Sequence, residues 1–400
     1  MRRVSLDDTV PGMRVARSLH YQYGGVMIAA GATLDERSIA KLREFGYTSL
    51  YVHDPDLADV VAYDYIDERA RQTITRHVSE LYDHLREETR KLVNTEELAR
   101  SSTAEIRARM EDKSFRRLVG RAKLQETFLG DVEKILESIL ADHEMALAVG
   151  TIKTVHSFLY DHSIEVAVHS ALLAKHLGLP KADLRQLVLG SLLHDIGQVL
   201  LPEDVARKNG VWTEEEEDAF RQHAVLGYFL LKERGNIGLL SAHVAYQHHE
   251  NQDGSGYPRK LSGRNRLLSK RESMNTPGRI HRYAEIVAVP DFYDELVSDL
   301  PYRPSLPPDQ AAARVREAAG TILNRKVVEV FLSYLPVFPV GTSVVVTRGK
   351  YRGWRGVVVG VNRVDLSRPL VRLLYDASDR LKKPVNVHLL SDDEIMVRAV

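Results

Sequence analysis

The most informative stretch of this sequence is His248-His249-Glu250-Asn251-Gln252-Asp253-Gly254-Ser255-Gly256-Tyr257-Pro258. Two adjacent histidines are followed by a glycine-rich loop, in which glycine lets the backbone approach a ligand and proline restricts the residue before it. On its own the loop would be an ordinary turn. Because it starts four residues after His249, it becomes a candidate wall of a metal site.

Five more residues with metal-ligating side chains lie on other predicted helices: His162, His194, Asp195, His223 and Asp291. Imidazole and carboxylate together bind iron, manganese, nickel or zinc, and the combined set exceeds what one ion can use. Two ions are therefore the expected number. Adjacent residues on a helix differ in direction by about 100°, so His194 and Asp195 serve one centre most easily if Asp195 bridges two ions. His248 and His249 either divide between the ions or lie where a helix ends.

The remaining histidines of this region are interpreted as structural: His143, His156, His169, His176, His243 and His281. A lone buried histidine is more often a hydrogen-bonded core residue than a metal ligand. His169 and His176 follow His162 on one helix face, but about 10 Å for every seven residues separates them from a common coordination sphere.

Composition excludes several classes of protein. The 400 residues include 55 basic and 55 acidic side chains, and 44% are apolar. Zero formal charge argues against a protein whose main task is to coat DNA or an anionic membrane. The absence of cysteine excludes disulfides, zinc fingers, iron–sulfur clusters and thiol nucleophiles, so any metal has nitrogen and oxygen ligands. No apolar run approaches the roughly 20 residues that span a bilayer and the N-terminus does not resemble a signal peptide, so we expect a cytoplasmic protein.

Length and hydrophobic pattern predict four segments: a small α+β module (1–60), a charged helical linker (61–145), a helical domain (146–336) and a small β-barrel or sandwich (337–400). Two amphipathic helices in the linker carry apolar seams: Ile74, Val78, Leu81, Leu85 and Leu92, then Leu124, Phe128, Val132, Ile135 and Ile139. These seams either form a coiled-coil homodimer or pack against their own domain.

Periodicity and stop signals also predict individual elements. The helices are expected at Asp35–Phe45, Ser163–Leu177, Asp183–Ile196, Glu214–Glu233, Ile237–His249, Arg279–Val297 and Pro308–Leu335. Strands are expected at Thr48–Val52, Ser343–Thr347, Gly356–Gly360 and Leu370–Tyr375. The turn Arg348–Arg355 is basic and aromatic, a composition also found in nucleic-acid-binding proteins. A basic hairpin tip is usually just solvated, so we do not expect the β module to bind nucleic acid.

The order of the motifs resembles that of a known family. They are His194-Asp195-Ile196-Gly197, His223-Ala224-Val225-Leu226-Gly227, His248-His249-Glu250, Asp253–Pro258 and Asp291–Asp299. Over roughly residues 146–336 the chain is similar to the HD-GYP family, the cyclic-di-GMP phosphodiesterase branch of the HD superfamily. The resemblance implies a mainly α protein built on a helical HD-GYP bundle, and its two terminal segments resemble modules found in related bacterial proteins.

The resemblance also implies a site. The metal ligands would be His162, His194, Asp195, His223, His248, His249 and Asp291, with Asp195 bridging and with His194 and Asp195 central to catalysis. The substrate would lie against Asp253, Gly256, Tyr257, Pro258, Gln198 and Arg303.

The chain departs from the family pattern at four positions. Members with a trinuclear site have a glutamate one helical turn before the first histidine, where this chain has Phe158, so two ions are expected. The lysine that normally closes the His-Asp-x-Gly-Lys motif is Gln198, and two usual arginines are Asn251 and Leu300, while Arg303 keeps a basic position. Each charge-assisted phosphate bond contributes about 1.5–3 kcal/mol, so these changes predict weaker substrate binding or slower turnover.

The implied reaction is phosphodiester hydrolysis. Two divalent ions, iron or manganese, would supply a hydroxide nucleophile at neutral pH and neutralise the phosphate as it is attacked. Cyclic-di-GMP would be opened to pGpG, and a site with two metal ions is expected to stop there or to reach GMP slowly. Two alternatives stay open. One is a degenerate receptor that binds cyclic-di-GMP without turnover and signals through the helices of residues 64–147. The other is a phosphohydrolase for another cyclic dinucleotide or nucleotide.

Overall fold

Helices dominate this computed structural model. It describes residues 1–21, 25–60, 68–91, 93–113, 115–116, 126–141, 158–206, 208, 210–232, 238–300, 303–378 and 380–400. Leu92 and Leu124 of the predicted seams, and His143 and His156, lie outside these ranges. Both ends of the predicted linker, residue 61 and the boundary between residues 145 and 146, also lie outside these ranges.

The first 60 residues form a small α+β unit with its own apolar core. Its elements are β1 (Arg2–Ser5), β2 (Leu19–His20), β3 (Val26–Ile28), α1 (Glu36–Glu44) and β4 (Ser49–Val52). Strands β1 and β4 pair antiparallel, as do β2 and β3. The carboxylate of Asp35 accepts a hydrogen bond from the Ser38 amide at 2.7 Å, which satisfies a free N–H group and fixes where α1 begins.

The central part of the chain is a bundle of helices. They are α2 (Glu68–Arg90), α3 (Thr95–Ala99), α4 (Thr103–Met110), α5 (Glu126–Ala141), α6 (Phe158–His176), α7 (Lys181–Leu192), α8 (Glu203–Ala206), α9 (Glu214–Lys232), α10 (Leu239–Gln247), α11 (Lys270–Asn275), α12 (Arg282–Val297), α13 (Pro308–Ala318) and α14 (Arg325–Tyr334). Helices α6, α9, α10 and α12 match predicted ones closely. None of the helices in the described ranges is long and apolar enough to cross a membrane.

One large apolar cluster holds this bundle together and includes residues of both predicted linker seams. Ile74, Val78 and Leu85 of α2 are at most 2% exposed, and Val132 and Ile135 of α5 are at most 1% exposed. The seams therefore pack within their own chain, which was one of the two alternatives. A homodimer through residues 61–145 would need other faces of these helices, and it remains a prediction.

The prediction of a helix over Asp183–Ile196 was wrong at its C-terminal end. Helix α7 stops at Leu192, and a short 3-10 helix, Ile196–Leu200, follows. The break is required because this segment runs against the backbone of α9. A Cβ atom on Gly197 would lie 1.9 Å from the His223 carbonyl oxygen, so only glycine fits there. His194 and Asp195 thus lie in a turn, where their side chains are not held about 100° apart as they would be on a helix.

The single helix predicted over Pro308–Leu335 was also wrong, because two helices occupy it. Gly320, between α13 and α14, has a φ of +99°, a left-handed conformation that ends a helix and that glycine adopts readily. Asn324 then caps α14 by accepting a hydrogen bond from the Lys326 amide at 3.0 Å. Helical spacing of the apolar residues continued across this break and concealed it.

The C-terminal segment forms a five-stranded antiparallel sheet, which corrects the prediction of a barrel. Its strands are β5 (Ser343–Arg348), β6 (Arg355–Gly360), β7 (Leu370–Tyr375), β8 (Arg380–His388) and β9 (Met396–Ala399), in the spatial order β8-β7-β6-β5-β9. The two outer strands do not pair with each other in the described structure, so the sheet is open. Strands β8 and β9 escaped prediction because β8 carries Lys382, Lys383 and Pro384, which are typical of edge strands.

The terminal segments pack on each other. Leu57 and Val60 share an apolar cluster with Val357 and Leu374 of the sheet. The guanidinium of Arg372 on β7 donates two hydrogen bonds to the carboxylate of Asp59, at 2.6 and 2.8 Å. The N-terminal segment and the C-terminal sheet are therefore in direct contact.

Candidate metal centre

Five separate pieces of the bundle bring all seven predicted ligands together. Their ligand atoms form three overlapping groups, each within 4.8 Å: Asp195 with His223, His248 and His249; His162 with His194 and Asp195; and His194 with His248 and Asp291. Helices α6, α9 and α12 supply three of these side chains, the turn after α7 supplies two, and the end of α10 supplies two. Such a cluster is compatible with divalent metal binding.

The carboxylate of Asp195 lies between two pairs of histidines. Its Oδ2 atom is 3.5 Å from His194 Nε2 and 3.9 Å from His162 Nε2. Its Oδ1 atom is 3.4 Å from His223 Nε2 and 3.8 Å from His248 Nε2. Each oxygen therefore faces a different pair, as a carboxylate must if it is to contact two ions.

Backbone and carboxylate groups orient the histidine rings. The Nδ1 atoms lie at hydrogen-bonding distance from Ser191 O (2.7 Å from His194), Phe220 O (2.6 Å from His223) and Ala245 O (3.0 Å from His248). Since a carbonyl oxygen only accepts, each Nδ1 carries the proton and each Nε2 keeps a lone pair directed into the cluster.

The Nε2 atoms then face one another at short range. His162 Nε2 and His194 Nε2 are 3.2 Å apart, and His223 Nε2 and His248 Nε2 are 3.3 Å apart. Two lone pairs at that distance repel unless a proton or a cation lies beside them. The donor set and its geometry therefore fit metal ions.

Electrostatics prepare the carboxylates for a cation. Burial alone would raise the pKa of Asp195, but the nearby His194 and His223 outweigh it and hold that pKa below the usual range. Burial also opposes ionisation of Asp291, yet the His162 and His194 imidazoles beside it, with Nε2 atoms 3.0 and 3.4 Å from its Oδ1 atom, hold its pKa well below the usual range. Burial lowers the pKa of His249 to about 3, so this imidazole is neutral and can act as a ligand at pH 7.

Asp294 is a carboxylate in contact with the cluster that sequence reasoning missed. Its Oδ2 atom is 2.6 Å from His162 Nδ1, and its side chain is buried. Burial would lower the pKa of His162, but the hydrogen bonds to Asp291 and Asp294 raise it to about 10. The spacing of Asp294 from Asp291, three residues on one helix, is the signal that could have revealed it.

We expect Asp294→Asn to weaken metal binding by about 10- to 100-fold, because the carboxylate orients the His162 ring and strengthens it as a ligand. Competition with a chromophoric chelator measures this change directly. Asp161→Asn on α6, a change of the same size next to His162 but outside the ligand groups, should leave the chelator midpoint where it is in the wild type. An unchanged midpoint in Asp294→Asn would contradict the orienting role.

The glycine-rich loop lies against the cluster. The ring of Tyr257 stacks on His249, with centroids 4.8 Å apart. Gly256 is buried so closely that a Cβ atom would lie 2.3 Å from the Asn251 nitrogen. Asp253 is exposed, and its Oδ1 atom accepts a hydrogen bond from the Ser255 amide at 2.9 Å. The structure thus brings Tyr257 to the metal centre and gives Asp253 a contact within the loop.

The break between α13 and α14 supports the other side of this loop. The amides of Gln252 and Asp253 donate to the carbonyls of Ile322 and Thr321 at 3.1 and 3.0 Å. The loop is therefore anchored by backbone bonds to a turn about 70 residues later in the chain, and Pro258, which follows Tyr257, is half-buried.

The positions predicted to lie near the substrate phosphate differ in their exposure and in their contacts. Gln198 lies in the short 3-10 helix, one turn beyond Asp195. Leu300 is 8% exposed, and its amide donates to the Arg303 carbonyl at 2.9 Å. The Arg303 guanidinium donates to the Glu295 carbonyl oxygen at 2.6 Å, at the C-terminal end of α12. Roles in substrate binding remain predictions for Gln198 and Arg303.

The histidines interpreted as structural lie in aromatic contacts where they are described. His169 packs against Tyr293 and Phe331, and His176 stacks on Tyr334. None of them belongs to the ligand groups found in the described part of the chain.

Comparison with known proteins agrees with this geometry. Residues 134–327 match the family model of the HD domain, a match that begins inside α5. A cyclic di-GMP phosphodiesterase of Pseudomonas aeruginosa is 29% identical over 256 residues, 64% of this chain and 57% of the relative. One of Thermotoga maritima is 30% identical over 211 residues, 52% of each chain. A 3'3'-cGAMP-specific phosphodiesterase of Vibrio cholerae is 32% identical over 163 residues, 41% of this chain and 32% of the relative.

The part of the chain matched by the HD-domain model includes the candidate metal centre. The chain spans little more than half the length of the first two relatives. All seven clustered side chains fall inside residues 134–327. Residues 134–327 of the chain therefore match an HD domain, and the chain is similar in sequence to cyclic di-GMP phosphodiesterases.

Proposed function

We propose that this protein hydrolyses cyclic-di-GMP to pGpG, and slowly to GMP, with two divalent ions of iron or manganese. The observation that carries the proposal is the Asp195 carboxylate, whose two oxygens face two different histidine pairs. Relatives named as cyclic di-GMP phosphodiesterases support the choice of substrate.

Two bound ions would polarise the phosphate and provide a nucleophile from water at neutral pH. The protein's own part is to hold the donors and to shape the site. His162 and His194 lie near one oxygen of Asp195, and Asp291 lies beside both of these histidines. His223 and His248 lie near the other oxygen, with His249 in the same ligand group. The Tyr257 ring closes the site next to His249. Burial raises the pKa of the Tyr257 phenol well above its usual value, so its hydroxyl keeps its proton and can donate to a phosphate oxygen.

The test is incubation of protein loaded with manganese or iron with cyclic-di-GMP, followed by chromatography of the products and metal analysis. We expect pGpG and about two equivalents of metal per chain. A firm metal content near three, or near zero, would contradict the two-ion site. Metal-loaded protein that binds the dinucleotide but yields no linear product over hours would instead establish a receptor.

A second candidate substrate is 3'3'-cGAMP, because a relative named for that activity covers 41% of this chain. Parallel assays with both cyclic dinucleotides at equal concentration separate the two. Faster turnover of 3'3'-cGAMP would replace cyclic-di-GMP in the proposal without changing the reaction.

Restoring a lysine should improve catalysis if the neutral Gln198 has weakened phosphate binding. We expect Gln198→Lys to lower KM or raise kcat by about 10-fold, since one charge-assisted bond contributes about 1.5–3 kcal/mol. Gln198 is partly exposed, so the new charge can be accommodated. Leu300→Arg is a poorer test, because Leu300 is buried. Steady-state kinetics with metal content measured in parallel decides the matter, and unchanged constants would contradict the prediction.

The four-segment organisation, with an HD-GYP domain at 146–336, is part of this proposal. So are a cytoplasmic location and a signalling role for the segments outside the domain. Limited proteolysis followed by mass spectrometry would locate the domain boundaries.

A further inference from the structure

A cyclic dinucleotide carries two phosphates, and a site that binds it needs cations besides the metal ions. The three positions where the family resemblance leads one to expect them are neutral: Gln198, Asn251 and Leu300. Arg303 directs its guanidinium to backbone carbonyls at the end of α12. A cation from another element would therefore have to contact the substrate.

Arg221 on α9 lies where such a contact would be made. Its guanidinium carbon is 5.4 Å from the centroid of the Tyr257 ring, the same ring that stacks on His249. Arg221 also precedes His223 by two residues, and the Tyr257 and His223 ring centroids are 6.4 Å apart. The side chain is 45% exposed, so it lies at the solvent side of the metal centre.

The present partners of Arg221 are weak ones. Its Nη2 atom is 2.7 Å from Glu217 Oε1, and its Nη1 atom is 3.5 Å from Asp218 Oδ1. These carboxylates are 50% and 75% exposed, and ion pairs in such surroundings contribute little because water and salt screen them. A phosphate is a stronger partner, because the planar guanidinium can donate two parallel hydrogen bonds to it.

We infer that Arg221 binds a phosphate group of the cyclic dinucleotide at the entrance of the metal centre, beside Tyr257. Arg221 then exchanges its contacts with Glu217 and Asp218 for the substrate. These two carboxylates compete with the phosphate and lower the affinity of the site. The inference rests on the proposed function, since it names a substrate contact for that reaction.

The experiment uses the full-length, metal-loaded protein with Arg221→Gln, Arg221→Lys and Glu217→Gln. We expect Arg221→Gln to raise KM for cyclic-di-GMP about 10-fold or more while kcat changes less than about threefold. Arg221→Lys should keep part of the affinity that Arg221→Gln loses, because lysine keeps the positive charge but lacks the two parallel N–H donors of the guanidinium. Glu217→Gln should lower KM, because it removes a competing anion.

The matched control is Arg314→Gln on α13, where an equally simple exposed pair joins Arg314 to Glu317 at 3.1 Å. Its KM should equal that of the wild type. Metal content is measured in every variant. Loss of metal in Arg221→Gln, or a KM equal to that of the control, would overturn the inference.

Binding of pGpG by calorimetry gives a readout that does not depend on turnover. We expect Arg221→Gln to weaken it and to reduce the salt dependence of binding, since one phosphate contact is lost. If the wild type binds pGpG but does not hydrolyse cyclic-di-GMP, the proposed function fails. The comparison of pGpG binding by the wild type and by Arg221→Gln then still tests the phosphate contact of Arg221. If the wild type hydrolyses cyclic-di-GMP and Arg221→Gln binds pGpG equally well, the inference alone fails.

Discussion

Asp195→Ala is expected to remove both bound metal and hydrolytic activity. The two oxygens of Asp195 face different histidine pairs, so removal of this carboxylate would affect both of the proposed ions. Asp291 would then be the one carboxylate left among the clustered ligand side chains to balance the charge of a cation. Metal analysis after dialysis should fall from about two equivalents to near zero, and pGpG should fall below detection.

The comparison variant is His169→Ala, a buried histidine of α6 that packs against Tyr293 and Phe331. It should keep its metal, although some stability is lost with the ring. Equal metal loss in the two variants, both measured on protein that remains folded by circular dichroism, would show that the metal centre lies elsewhere.

Gly197→Ala should destabilise the protein by about 3 kcal/mol or more, because the added methyl group meets backbone rather than a mobile side chain. Its Cβ atom would lie 1.9 Å from the His223 carbonyl oxygen and 2.5 Å from the Gly227 nitrogen. The contact can be relieved only if the short 3-10 helix and α9 separate. This separation also moves Asp195 away from His223, so metal affinity should fall together with stability.

Urea unfolding of the metal-free protein measures the stability change, and Gly130→Ala is the matched control. Gly130 lies within α5 and has no atom within 4 Å of an added Cβ. Alanine there should stabilise the helix by about 0.5–1 kcal/mol. Similar unfolding midpoints in the two variants would contradict the close approach at Gly197.

Much of the candidate metal centre could be predicted from the sequence because its clustered side chains belong to short local motifs. The pairs His194-Asp195 and His248-His249 are adjacent in the chain, and the glycine-rich loop follows the second pair. Residue types that bind metal are few, so their concentration in one region is informative. The helices that carry them also have periodic apolar faces, which the sequence displays directly.

Breaks in regular structure could not be predicted as well. The apolar spacing that predicted one helix over Pro308–Leu335 continues across Gly320, and a single glycine within such a pattern does not reveal a left-handed backbone. The end of α7 at Leu192 depends on the approach of α9, which is a contact between segments distant in sequence. Whether the C-terminal β module closes into a barrel likewise depends on a contact between segments distant in sequence, namely pairing of its two edge strands, β8 and β9.

The sequence by itself determined which side chains are able to bind metal and on which helices they lie, since composition and periodicity are local properties. Only the tertiary structure decided how they are used. The two oxygens of Asp195 face different histidine pairs, Asp294 orients His162, and Arg221 lies over Tyr257. Each of these relations joins different elements, and their distances depend on how the helices pack rather than on any spacing along the chain.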